Sequence, residues 1–150
     1  MSKKLLYIAN IDWFFISHRL NLAQEASSKG YEVHIATQIT SHYESLLDKG
    51  FHVHRLSYER SKSLLSITKE IYSFLQILKL YRTLKPDIVH LISLKPALYG
   101  GLLSIFFKKQ ITILSITGTG FLFNSSGFFG KLFESLVVYL FSIIFKQKQV

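Results

Sequence analysis

Apolar positions along this chain change period repeatedly, from short continuous runs to a repeat of three and four. Continuous runs of four to eight residues read as strands buried on both faces, and the longer repeat reads as helix. Leu5 to Ala9 is the first strand. A helix from Ile16 to Lys29 follows, with Ile16, Leu20, Ala23 and Ser27 on one face and Gly30 as its stop. Tyr31 to Thr37 is the second strand, Ser41 to Lys49 a short helix closed by Gly50, and Phe51 to Leu56 the third strand. The clearest helix runs from Leu64 to Leu84, where Ile67, Ile71, Phe74, Leu78 and Tyr81 recur on one stripe. Pro86 forbids its continuation. Asp87 to Ile92 is the fourth strand, Pro96 to Phe107 the next helix, and Gln110 to Ile116 the fifth strand. The loop TGTGFLFNSSG then leads into a last helix.

Strands alternating with helices of this length predict an α/β fold: a Rossmann-like parallel sheet, with helices on both faces and right-handed crossovers. The expected strand order is 3-2-1-4-5, in one domain covering residues 1–150. Ligands of such sheets sit beyond the carboxyl ends of the strands, where the order reverses. That reversal falls between strands one and four. It singles out Asn10 to Arg19 and Ser93 to Gly101, with Thr117 to Asn124 beside them.

Composition narrows the class. Apolar residues make up 49% of the chain and charged residues 18%, which excludes disorder. The formal charge of +9 is spread out rather than gathered in a basic run, and the aromatics are not interleaved with cations, so nucleic acid is not an expected partner. An anionic membrane surface or a phosphate-bearing substrate fits that charge. The absence of cysteine excludes disulfides and thiolate metal sites. Asn10 and Asp12 interrupt the first apolar run too early for a secretory signal. The uncharged stretch from Ser135 to Phe145 is shorter than the ~20 residues of a spanning helix. The expected location is therefore cytoplasmic, peripheral to the cytoplasmic membrane.

The turn NIDWFFISHRL places three aromatics, Trp13, Phe14 and Phe15, where a loop would normally limit apolar exposure. His18 and Arg19 are expected in the first helical turn, where free backbone N–H groups and the helix dipole favour an anion. Arg19 would clamp a phosphate and His18 would act as acid or base; the competing reading packs the aromatics under the sheet and pairs Arg19 with a surface carboxylate. In HLISLKPALYGG, Lys95 stands just before Pro96 at the crevice edge, and Gly100 and Gly101 admit either a ligand or close helix packing. Gly118 and Gly120 could offer N–H groups to a phosphate or sugar, or simply form a tight turn; they are not a dinucleotide fingerprint. His34, His52, His54 and His90 fall on strands with no carboxylate spaced to complete a metal set, so neither metal nor cofactor is expected. Neither a GxSxG elbow nor a GxxxxGK[ST] loop occurs, which removes the serine-hydrolase and P-loop readings.

On the last helix, Lys131, Glu134, Ser135, Ser142 and Lys146 form one narrow polar stripe, and nearly everything else is apolar. Part of that wide face covers the sheet. The remainder is expected to meet a membrane interface, a second copy or a separate subunit.

Four ordered blocks, KLLYIANIDWFFISHRLNLAQEASSKGYEVHIAT, KPDIVHLISLKPALYGG and ITGTGFLF with the FxxHR helix start inside the first, resemble the amino-terminal lobe of family 4 glycosyltransferases of the GT-B fold, nearest in flavour to bacterial enzymes of surface-polysaccharide assembly. The resemblance implies an acceptor-binding lobe that faces a second, donor-binding lobe across a cleft. It further implies retention of anomeric configuration, a nucleotide-sugar donor, a lipid-linked sugar acceptor and no metal. Asn10, Trp13, Phe14, His18, Arg19, Lys95, Gly118 and Gly120 would line the cleft. No catalytic base is implied, because Thr117, Gly118 and Thr119 stand where some relatives carry a histidine.

The donor lobe is not found in this sequence, so the chain is expected to be inactive alone. It would be one half of an enzyme completed by a separate carboxy-terminal-lobe subunit. The alternative is a non-catalytic remnant, or a lipid- or protein-binding Rossmann-like domain.

Overall fold

The computed structural model describes residues 2–57, 65–117, 128–148 and 150. Five parallel strands, β1 (Lys4–Ile11), β2 (Glu32–Gln38), β3 (His52–Arg55), β4 (Ile88–Ile92) and β5 (Ile111–Ser115), stand in the order β3-β2-β1-β4-β5. Both the order and the reversal between β1 and β4 are as the sequence predicts.

Alternating side chains divide the core into two layers. On one face Leu5, Tyr7 and Ala9 of β1, with Val33 and Ile35 of β2, meet Phe15 and Ala23 of α1 (Asp12–Ser28) and Leu46 of α2 (Tyr43–Leu47). On the other face Leu6, Ile8, Ala36, Val89 and Leu91 meet three further helices. Those are α3 (Leu65–Leu84) through Ile77 and Tyr81, α4 (Leu94–Ser104) through Ala97 and Leu103, and α5 (Phe128–Phe145) through Val137, Phe141 and Ile144.

One boundary departs from the sequence expectation in a way that matters. The first helix starts at Asp12, not Ile16, so the segment expected to be a loop is helical. Asp12 is fully buried, and its carboxylate accepts hydrogen bonds from the N–H groups of Trp13, Thr40 and His42 at 2.8, 2.8 and 3.0 Å. Thr40 adds its hydroxyl at 2.6 Å and Ser41 its N–H at 3.2 Å. This carboxylate begins the helix and ties it to the β2–α2 connection. Apolar pattern alone does not reveal a contact made with a residue 28 positions away.

The paired glycines of α4 serve packing. A Cβ on Gly100 would lie 2.4 Å from Leu91 Cδ2 and 2.9 Å from the Tyr81 hydroxyl oxygen, which itself donates to the Gly100 carbonyl at 3.2 Å. A Cβ on Gly101 would lie 2.9 Å from two carbons of Ile144. Helix α4 thus sits flush between β4 and α5. Ser104 Oγ and Gln147 close the α4–α5 seam with a 2.8 Å bond.

Leu91 and Tyr81 are fully buried and have no space to retreat. Gly100→Ala is therefore expected to lower unfolding free energy by about 1–3 kcal/mol, the usual cost of overpacking, as read from a urea denaturation midpoint.

Candidate functional site at the carboxyl ends of β1 and β4

Ala9 and Ile92 form the last rung between β1 and β4. Beyond it the two chains part, β1 into α1 on one face of the sheet and β4 into α4 on the other. This divergence opens the crevice of a doubly wound sheet.

Both strand ends carry irregular backbone. The β1–β2 register slips between Ala9 and Ile11, so Asn10 occupies a bulge, a device that re-aims a side chain. Its buried Oδ1 has no hydrogen-bond partner among the described residues. Across the gap, Ser93 holds φ 78° and ψ 167°, a region that costs a non-glycine residue about 1–3 kcal/mol. Two bonds hold Ser93 there: its N–H donates to the Ser115 carbonyl at 2.9 Å, and its Oγ lies 3.3 Å from Thr117 Oγ1. The sequence reading placed Ser93 within the segment to watch but did not single it out.

Helix α1 brings a cation to the same region. Arg19 is half-buried, its Nη1 donates to the neighbouring His18 carbonyl at 2.9 Å, and its buried Nε has no partner among the described residues. No ion pair to Arg19 occurs among the described residues. Under it lie two strand residues paired in register, Tyr7 and His90, with ring centroids 5.4 Å apart. Burial, and secondarily the positive charge of Arg19, pulls the His90 imidazole down to about 4. Burial pushes the Tyr7 phenol up to about 12, partly opposed by Arg19. His90 Nε2 lies 2.7 Å from Ser115 Oγ, extending the polar strip to β5. At neutral pH this strip is uncharged apart from Arg19. It is suited to holding an anion and its hydroxyl-rich neighbours, not to donating a proton from an imidazolium.

The other candidates fall as follows. Because α1 starts early, His18 and Arg19 lie in its second turn, and the free N–H groups expected beside them belong to the first turn instead. His18 is exposed, stacks on Phe14 at 4.3 Å, and its Nδ1 lies 2.7 Å from Ser17 Oγ. Trp13 stands exposed at the rim and meets Phe14 edge-on at 5.9 Å, whereas Phe15 is the aromatic that packs under the sheet. Lys95 is on the opposite face and pairs with Glu70 of α3, whose second oxygen accepts from the Tyr99 hydroxyl at 2.5 Å. It joins α4 to α3 and is not part of the Arg19 strip. Gly118 and Gly120 lie outside the described residues.

At the far, amino end of the sheet the structure corrects a further expectation. Glu32 stands two residues from His34 on β2, and parallel register sets His52 of β3 beside it. Among the described residues these three form a group whose ligand atoms lie within 4.8 Å of one another. The spacing rule missed them because they converge through strand pairing.

Comparison with known proteins decides the family. Residues 4–148 match the family model described as glycosyl transferase 4-like. This chain belongs to that family. No curated protein sequence matches it significantly. Among solved structures, MurG of Acinetobacter baumannii aligns with a TM-score of 0.57 at 15% identity, covering 91% of this chain and 39% of MurG. The calicheamicin glycosyltransferase CalG4 aligns at 0.56 and 14%, covering 91% and 38%. A UDP-N-acetylglucosamine 2-epimerase aligns at 0.51 and 13%, covering 76% and 33%. At such identities the likeness is one of fold, that of a lobe of GT-B proteins. This glycosyl transferase 4-like chain spans between 33% and 39% of those three structures.

The hydrogen bonds to Asp12 outweigh its burial and hold its carboxyl at about 2. A depressed carboxyl contributes stability above its unfolded value and loses it as pH falls through the folded value. Asp12→Ala is expected to cost about 3 kcal/mol at pH 7, with most of the difference from the parent gone at pH 2, measured by urea unfolding at both pH values.

Proposed function

We propose that this lobe binds the acceptor in a retaining glycosyl transfer, with the nucleotide-sugar donor held by a second lobe outside this sequence. The acceptor is a lipid-linked sugar, and the setting is assembly of a cell-surface polysaccharide at the cytoplasmic membrane. Family membership supports the reaction class. The observation that carries the acceptor assignment is a pair of buried polar atoms without partners among the described residues, Asn10 Oδ1 near the end of β1 and Arg19 Nε on the α1 that follows it. A buried polar atom without a partner costs about 1–3 kcal/mol, and a ligand that supplies the missing partner recovers it. Arg19 matches a phosphate, while Asn10, Ser93 and Thr117 match sugar hydroxyls.

Differential stabilisation of a transition state needs groups on both walls of the cleft. One lobe then binds acceptor without transferring sugar. The exposed apolar side of α5, with Leu132, Leu136 and Tyr139, and the net charge of +9 support a seat against an anionic membrane, where a lipid-linked acceptor resides. No helix among the described residues is long and apolar enough to cross that membrane.

The assignment is tested by calorimetric titration of this chain with a short-chain, water-soluble prenyl diphosphate sugar. Arg19→Ala is expected to weaken binding by about 1.5–3 kcal/mol, the scale of a hydrogen bond to a charged group, with an unchanged circular dichroism spectrum. Equal affinity of parent and variant would refute the role given to Arg19.

A further inference from the structure

We propose that Glu32, His34 and His52 form a divalent-metal site for a zinc-like, imidazole-preferring ion at the amino end of the sheet, separate from the crevice. Glu32 and His34 come from β2 and His52 from the edge strand β3, with His34 and His52 directly paired in register. His34 Nε2 already lies 2.9 Å from Glu32 Oε1, and the His34 and His52 rings stack with centroids 4.7 Å apart. A tetrahedral zinc with bonds of ~2.0–2.1 Å sets its ligand atoms roughly 3.3 Å apart. The three ligand atoms lie within 4.8 Å of one another, and His52 is exposed, so rotation of its ring closes the set without moving backbone. Two imidazoles and one carboxylate suit zinc and its first-row neighbours, not magnesium or calcium. A fourth position remains for water.

The surroundings complete the pattern. A metal-bound imidazole places its remaining proton on the other ring nitrogen and donates it to an acceptor. His34 Nδ1 lies 3.0 Å from His54 Nε2, which becomes that acceptor once His54 carries its own proton on Nδ1. When Nε2 takes the metal it gives up the proton it shares with Glu32, and both rings change tautomer so that a proton stands on His34 Nδ1 and points to His54, with no net change of charge on either ring. Lys4 Nζ lies 3.8 Å from Glu32 Oε1, a resident cation that the metal would displace from this carboxylate. The consequence is a cross-link. β3 is only His52–Arg55 and, among the described residues, pairs with β2 alone, and a bound ion would fasten it there.

The test titrates the untagged full chain with zinc chloride at pH 7.5, by calorimetry and by thermal melting. Saturation at one zinc per chain with a raised melting temperature is expected, and magnesium at the same concentration should do neither. His52→Ala and Glu32→Gln should each weaken zinc at least tenfold and abolish the thermal shift. His42→Ala, a histidine outside the group, should leave both intact. Absence of one-to-one saturation would overturn the proposal. So would equal affinity in His52→Ala, whose side chain is exposed, or an equal loss in His42→Ala.

Discussion

The structure depends on one crossover. After β3 the chain stands at one edge of the sheet, and α3 must carry it back over β2 and β1 before β4 can pair with β1. Ile77 and Tyr81, both fully buried, seat that helix on the layer formed by Leu6, Ile8, Val89 and Leu91. Parallel strands accept such connections in one hand only, so α1 and α4 leave the adjacent ends of β1 and β4 towards opposite faces. The crevice is the gap that this leaves. Its position follows from handedness and packing before any functional side chain is considered.

What fills the rim follows from how each strand end is fastened. β1 ends in a bulge at Asn10, and α1 opens on Asp12, whose buried carboxylate binds the β2–α2 connection. β4 ends in Ser93, held at positive φ by the Ser115 carbonyl. The Asp12 bonds stabilise the first turn, whereas Ser93 costs local stability to fix its backbone, a common arrangement where a ligand is to be received. Arg19 then reaches in from α1 without an ionic partner among the described residues. The opposite end of the sheet is built differently. There Glu32 and the strand histidines converge through side-chain parity and register, and their assembly owes nothing to the crevice.

The fold was legible because its signals are local: apolar runs for strands, a three-and-four repeat for α3, and Gly30 after α1. The site was legible in outline, since Asn10 and Arg19 lie in the segments next to the reversal. The rest depended on contacts that sequence distance hides. The start of α1 hinged on Asp12 meeting Thr40 to His42, so His18 and Arg19 were expected one turn too early. Lys95 looked exposed until α3 supplied Glu70. Tyr7 and His90 face each other only because β1 and β4 pair, although a polar residue inside the run IVHLI was a usable signal. Glu32 joined the histidines for the same reason.

Chemical-shift mapping addresses the central claim most directly, that the gap between β1 and β4 is a binding wall. Backbone amide resonances of the labelled chain would be followed during titration with the soluble prenyl diphosphate sugar. The account predicts saturable shifts at Asn10, Trp13, Arg19 and Ser93, and none along His52–Arg55. Shifts confined to the β3 edge or to α5, or no saturable shift at any concentration reached, would contradict it.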